Sequence, residues 1–150
     1  MKGTFWNCNG LGDLKKHRFL SDLTKEHDLD FIVLSETGRD SFTQQSLNNF
    51  CARKDFLWHV KPPRGRSGGT LVGVNLLVFD ISEIEEGDFF VRFKIRNKDD
   101  GFIWNLVAVY GAAQEEFKAN FLTDPIMFKR NYTYHDRWRL QHNTGTRGKE

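Results

Sequence analysis

Gly3-Thr4-Phe5-Trp6-Asn7-Cys8-Asn9-Gly10-Leu11-Gly12, answered by Phe31-Ile32-Val33-Leu34-Ser35-Glu36-Thr37, is the stretch on which the fold turns. In the first segment, alternation puts Thr4, Trp6 and Cys8 on one face and Phe5, Asn7 and Asn9 on the other, so it reads as a strand that Gly10 and Gly12 end. The second opens with four consecutive apolar residues, the pattern of a strand buried on both faces. Between them Asp13 is placed to cap a helix over 14–27, with Leu14, Phe19, Leu20 and Leu23 as its apolar stripe and residues 28–30 closing it. Strand, helix and buried strand in that order make a right-handed parallel βαβ unit the default. Both strands of such a unit finish at one edge of the sheet, which is where open sheets place ligands. Asn7 and Asn9 at the end of the first strand and Glu36 just past the end of the second are therefore the candidate site residues.

Working outward, residues 41–52 read as a helix, with Ser41 and Gln44 at capping-box spacing. A short strand follows at 56–60. Lys61-Pro62-Pro63-Arg64-Gly65-Arg66-Ser67-Gly68-Gly69 reads as a loop with three cations and three glycines, and residues 70–79 are apolar enough for one strand or two. The clearest alternation in the chain comes next: Phe89, Val91, Phe93 and Ile95 share one face, Phe90, Arg92, Lys94 and Arg96 the other. A turn at 97–101 then leads into a strand over 102–110, which makes an antiparallel hairpin. Residues 113–122 return to a helical pattern, with Phe117 and Phe121 four apart. Pro125 ends it, and from 126 onward neither period survives. Residues 121–150 carry 6 basic and 3 acidic groups. The expectation is a division into 1–122, which packs, and 123–150, an irregular basic tail.

The 150 residues bound the answer to one domain or most of one, and 39% hydrophobic with 28% charged residues is the composition of a folded chain. A net charge of +2 does not by itself mark a nucleic-acid binder. Cys8 and Cys51 cannot build a disulfide framework, and no Cys/His spacing suggests zinc; a reduced, intracellular setting is the default. Residues 1–9 are too short and polar for a signal peptide, and no apolar run approaches the ~18 residues of a membrane helix, so the expectation is a soluble protein without a membrane partner.

Two carboxamides and a carboxylate at one sheet edge suit Mg²⁺, which takes hard oxygen ligands, keeps several waters and often uses only one or two carboxylates beside substrate phosphate. Glu36 is the direct-ligand candidate, with Asn7 or Asn9 orienting a carboxylate, a water or a phosphate oxygen. The same residues also suit a purely structural part, with Glu36 capping the next loop and the asparagines making turn hydrogen bonds. Lys61, Arg64 and Arg66 divide in the same way. They are either contacts to backbone phosphates, each adding salt dependence, or a solvated loop whose glycines only permit the turn.

Trp6-Asn7-Cys8-Asn9-Gly10-Leu11-Gly12, Phe31 through Thr37, and Val107-Ala108-Val109-Tyr110-Gly111 resemble the first three motifs of the endonuclease/exonuclease/phosphatase superfamily. The wording is most similar to the N-terminal endonuclease domain of plant LINE-type retrotransposon reverse transcriptases, over about residues 3–122. The resemblance implies an α+β chain folded as a four-layer αββα sandwich of the DNase I-like type, here incomplete. It implies Mg²⁺-dependent phosphodiester hydrolysis, with DNA as partner and, were the LINE relationship functional, a nuclear location. Asn7 resembles the active-site asparagine, Asn9 occupies the neighbouring motif position, Glu36 resembles the metal-binding glutamate, and Tyr110 resembles the tyrosine whose hydroxyl lies near the scissile phosphate.

The family's later Gly-Asp-Phe-Asn and Ser-Asp-His motifs, which position the nucleophile and its activating histidine, have no counterpart in the 150 residues. His135-Asp136 is adjacent in an irregular segment, where side chains rarely converge. The expectation is thus a truncated endonuclease domain with little activity of its own. Its alternative is a non-catalytic remnant or weak nucleic-acid-binding module.

Overall fold

The computed structural model describes residues 1–64 and 68–109. Strand β1 (Gly3–Asn7) runs into helix α1 (Leu14–His27) and strand β2 (Phe31–Ser35), and β1 and β2 pair in parallel with Asn7 opposite Ser35. Asp13 caps α1 by accepting the Lys15 N–H, and Asp28, left-handed at φ 52°, ends it by donating its N–H to Thr24 O. Leu20 and Thr24 form the buried stripe of α1. Leu14, expected on that stripe, is 77% exposed, and Phe19 leans on Trp6 from the rim of the helix instead.

Helix α2 (Gln44–Phe50) is shorter than the 41–52 expected. Its cap is Thr43, whose hydroxyl accepts the Ser46 N–H, and not Ser41. Strands β3 (Phe56–Lys61) and β4 (Thr70–Asn75) complete a sheet of order β1-β2-β4-β3, in which β4 is antiparallel to both its neighbours. Lys61 therefore ends a strand, opposite Thr70, where the sequence placed it in the loop.

Strands β5 (Phe79–Glu86), β6 (Phe90–Asn97) and β7 (Ile103–Val109) form a second, antiparallel sheet. The expected hairpin is β6–β7, with Phe93 opposite Leu106. The stretch at 70–79 divides, β4 ending at Asn75 and β5 starting at Phe79.

Alternation along each strand then sorts the residues into layers. Phe5, Phe31, Val33, Val72 and Val74 of the first sheet meet Phe79, Val91, Phe93, Ile95, Trp104 and Leu106 of the second in one dry core. Phe31 stands edge-on to Trp104 across that core at 6.1 Å. The opposite face of the first sheet, with Cys8, Ile32, Leu34 and Leu71, packs on Leu20 of α1 and Phe50 of α2. The order of layers is helices, sheet, sheet, which is α+β and explains why β2 is apolar at four positions running: it is buried from both sides. The expected helix at 113–122 and the division at 122/123 fall outside the described residues. Among the described residues no helix is long and apolar enough to cross a membrane.

Candidate active site

Asn7 is the last residue of β1, and the ladder runs one step further as Cys8 N–H donates to Ser35 O at 3.0 Å. The chain then turns. Asn7 Oδ1 accepts the Asn9 N–H at 3.1 Å, a side-chain turn of the kind asparagine favours, and Asn9 and Gly10 both take left-handed φ, 49° and 90°. That turn lies along the segment leaving β2, with Gly10 N–H bonded to Glu36 O at 2.7 Å and Leu11 N–H to Thr37 O at 2.8 Å. Asn7, Asn9 and Glu36 are thus brought to one edge of the first sheet, as parallel strands require.

Glu36 itself is left-handed at φ 53°. Such a conformation costs a residue with a Cβ roughly 1–2 kcal/mol, and here the neighbouring bonds hold it. From the far side it is pressed by the start of β4. A Cβ on Gly68 would stand 2.6 Å from Glu36 Cα, so only glycine fits beneath it. Thr37, fully buried, joins the same two segments: its N–H donates to Gly69 O at 3.3 Å, and its hydroxyl lies 3.4 Å from Gly68 O. Gly68 and Thr37 are site-shaping residues that the sequence reading passed over. In the sequence Thr37 is one polar residue within a motif, and the glycines read as ones that permit a turn, whereas Gly68 is a steric necessity.

The carboxylate of Glu36 is exposed and makes no hydrogen bond or ion pair among the described residues. Also among the described residues, no three His, Cys, Asp or Glu side chains gather into a metal-binding group. The side-chain oxygens carried by the turns at this rim are those of the Glu36 carboxylate and the Asn7 and Asn9 carboxamides, with Asn7 Oδ1 already accepting the Asn9 N–H. Hard oxygens with a single carboxylate among them are the donor chemistry of a divalent ion that keeps most of its waters, and they lack the Cys and His ligands typical of zinc.

The two described cations of the 61–69 segment, Lys61 and Arg64, are engaged. Lys61 Nζ lies 3.7 Å from Glu86 Oε2 at the end of β5, with its side chain only 12% exposed, and His59 Nε2 meets Glu86 Oε1 at 2.9 Å. Arg64 pairs with Asp88 at 3.1 Å. These contacts bring the ends of β3 and β5 together and fasten the two sheets at the rim where Thr70 begins β4. Lys61 is accordingly a strand-end residue paired between the sheets with its side chain largely covered, whereas Arg64 stays on the exposed connection beyond β3 with Asp88 as its partner. Arg66 and Tyr110 lie outside the described residues. The last described residue of strand β7, Val109, pairs with Phe90.

Fold and rim together define a class: a two-sheet α+β sandwich whose candidate site stands where the loops after β1 and β2 meet the entry to β4. Residues 4–147 match the model of the endonuclease/exonuclease/phosphatase family, and the chain belongs to that family. Among solved structures it is similar to the catalytic domain of human nocturnin with a bound sulfate anion, at 13% identity and a TM-score of 0.56, covering 75% of this chain and 49% of that one. It is similar to D. rerio TDP2 complexed with a single-strand DNA product, at 12% identity and 0.57, covering 84% and 54%. A third is an endonuclease/exonuclease/phosphatase family protein from Leptotrichia buccalis, at 14% and 0.58, covering 89% and 62%. At these identities the likeness is one of fold. The chain spans about half the length of the solved structures it matches, 49% and 56% for two of them. No curated protein sequence gives a significant match.

Proposed function

We propose that the chain is a Mg²⁺-dependent phosphodiester hydrolase domain of the LINE endonuclease type, acting on DNA, whose 150 residues supply the metal- and phosphate-binding rim without the recognisable nucleophile-activating groups. One observation carries this reading: Asn7, Asn9 and Glu36 stand at one sheet edge, with Gly10 N–H on Glu36 O locking their two turns together. The Trp6 to Gly12 wording favours the LINE branch. General dependence of the family on a divalent metal, and the DNA product held by the TDP2 neighbour, support the metal and the substrate class.

Glu36, with the Asn7 or Asn9 carboxamide, would hold the ion. Bound there, it would polarise a phosphoryl oxygen and lower the pKa of a coordinated water. The carboxamide N–H groups of Asn7 and Asn9 are suited to donate to phosphoryl oxygens, and Tyr110 to steady developing charge. Lys61, Arg64 and Arg66 are the proposed backbone contacts; for the first two, a DNA phosphate would have to compete with Glu86 and Asp88. Of the two, Arg64 is the better placed, because its side chain is 63% exposed.

The second reading, a non-catalytic module, is favoured by the missing Gly-Asp-Phe-Asn and Ser-Asp-His motifs. Groups that act as a unit lose several orders of magnitude together. Metal binding at Glu36 belongs to the first reading, and the two readings part on turnover. The test is Mn²⁺ binding, followed by paramagnetic broadening of the Gly10 and Thr37 amides, together with nicking of supercoiled plasmid in Mg²⁺. We expect Glu36→Gln to abolish the broadening and the purified chain to nick little or not at all. Broadening that survives Glu36→Gln sinks the site. Robust nicking that is lost both with EDTA and with Glu36→Gln sinks the proposed deficiency.

A further inference from the structure

We infer that Lys16 is the positioning residue of this site, its ammonium fixing the turn that carries Asn7 and Asn9 against the turn that carries Glu36. The inference rests on the site reading above and adds a residue to it from another element, α1.

Lys16 Nζ lies 2.8 Å from Cys8 O, 3.1 Å from Asn9 O and 2.9 Å from Gly10 O. An ammonium has three N–H donors, and all three are spent on three successive carbonyls of one turn. Three carbonyl dipoles aimed at one point repel each other unless a cation stands at the focus. The left-handed φ values of Asn9 and Gly10 are what swing the carbonyls into that arrangement. The other side of the same turn donates Gly10 N–H and Leu11 N–H to the Glu36 and Thr37 carbonyls. The turn is clamped between a fixed cation and the Glu36 segment.

The placing of the charge points the same way. Lys16 sits in the first turn of α1, the positive end of the helix dipole, where the nearest acidic residue in the chain is the Asp13 cap, whose carboxylate accepts the Lys15 N–H. A cation is disfavoured by the dipole there, and the carbonyls that Lys16 Nζ contacts add their negative potential to that of the Asp13 carboxylate. Next to it His17 Nε2 meets Leu11 O at 2.7 Å, while its ring stands edge-on to Phe50 at 4.9 Å, so the grip extends to the following residue of the loop. With its three donors occupied, Lys16 sets the geometry of the residues that would touch metal and phosphate and does not itself contact them.

The direct test needs no variant: NMR of the Lys16 ammonium in the labelled wild-type chain. We expect its protons to exchange with water far more slowly than those of the exposed Lys15 and Lys25, and to show couplings across hydrogen bonds to the Cys8, Asn9 and Gly10 carbonyl carbons. An ammonium exchanging as fast as Lys15 and Lys25 overturns the inference. In Lys16→Met, amide exchange at Gly10 and Leu11 should rise about tenfold, the loss expected for hydrogen bonds to a charged group, with β2 amides unchanged, and Mn²⁺ affinity should fall with it. The exchange arm decides the anchoring without metal. If wild type shows no Glu36-dependent Mn²⁺ binding, the site reading has failed on its own account. If it does, and Lys16→Met alters neither exchange nor affinity, the inference about Lys16 is the one that fails.

Discussion

A single hydrogen atom at Gly68 decides whether Glu36 keeps its place. Gly68 sits at the entry to β4, and a methyl there would press on Glu36 Cα at 2.6 Å and Cβ at 2.9 Å, which are backbone and near-backbone atoms that cannot swing aside. Gly68→Ala should therefore cost about 1–3 kcal/mol, the usual range for overpacking, and weaken Mn²⁺ binding by moving Glu36. Gly12→Ala is the control: it has open space around it, and its expected change is within about 0.5 kcal/mol. Urea denaturation of both variants, with Mn²⁺ titration, checks this. Equal midpoints for the two would show that the β4 entry yields freely. Nothing in the sequence distinguishes these glycines, because the clash depends on a segment more than thirty residues away. The carboxylate was legible, since its position follows from strand ends and a motif; its support was not.

Between elements, Thr24 does for the helical layer what the rim bonds do for the site. It is completely buried, with its hydroxyl 2.7 Å from Phe50 O of α2 and 2.9 Å from Leu20 O in its own helix. Phe50 O belongs to a helix end, where carbonyls lack intrahelical donors. Thr24→Val keeps the shape and removes the donor, so it should cost about 1–3 kcal/mol, while Thr24→Ser, which retains the hydroxyl, should cost less in the same urea melts. A valine variant as stable as wild type would mean that Phe50 O finds another donor. The elements themselves were partly legible. β1 and the β6–β7 hairpin follow from alternation, α1 from its cap and apolar stripe, and β2 from an unbroken apolar run. β5 was missed past Phe79 because it is acidic and its alternation is broken by a bulge between Ile81 and Glu83. Its reason for being acidic is tertiary: Glu83 and Glu85 lie 2.8 and 2.7 Å from Arg92 Nη2, across the strand pair. The early start given to α2 failed for a local reason, since Thr43 stands one residue before the helix and Ser41 does not.

Over the whole molecule, acid should loosen both outer layers at once. Asp28 ends α1 and bonds Lys54, which follows α2, and the Lys54 ammonium holds its carboxyl below the usual carboxylate range. Asp100 lies in the β6–β7 turn, where the Phe102 N–H, bonded at 2.9 Å, lowers its carboxyl in the same sense. A carboxylate whose folded pKa is depressed leaves the unfolded chain binding more protons at pH values between the two pKa values. Its stabilising contribution is therefore complete above the ordinary carboxylate pKa and is lost as pH falls through the folded one. The expected window lies below about pH 4, and the contributions are small because both groups are solvent-exposed and screened. Asp28 marks the helical layer and Asp100 the outer sheet, so one variant in each reports on each layer separately. Urea midpoints of wild type, Asp28→Asn and Asp100→Asn between pH 5 and pH 3 make the measurement. Each variant should be less stable than wild type at pH 5, and the difference should shrink as pH falls. A difference that stays constant, or grows toward pH 3, would mean that these carboxylates hold neither the helix end nor the hairpin through their charge.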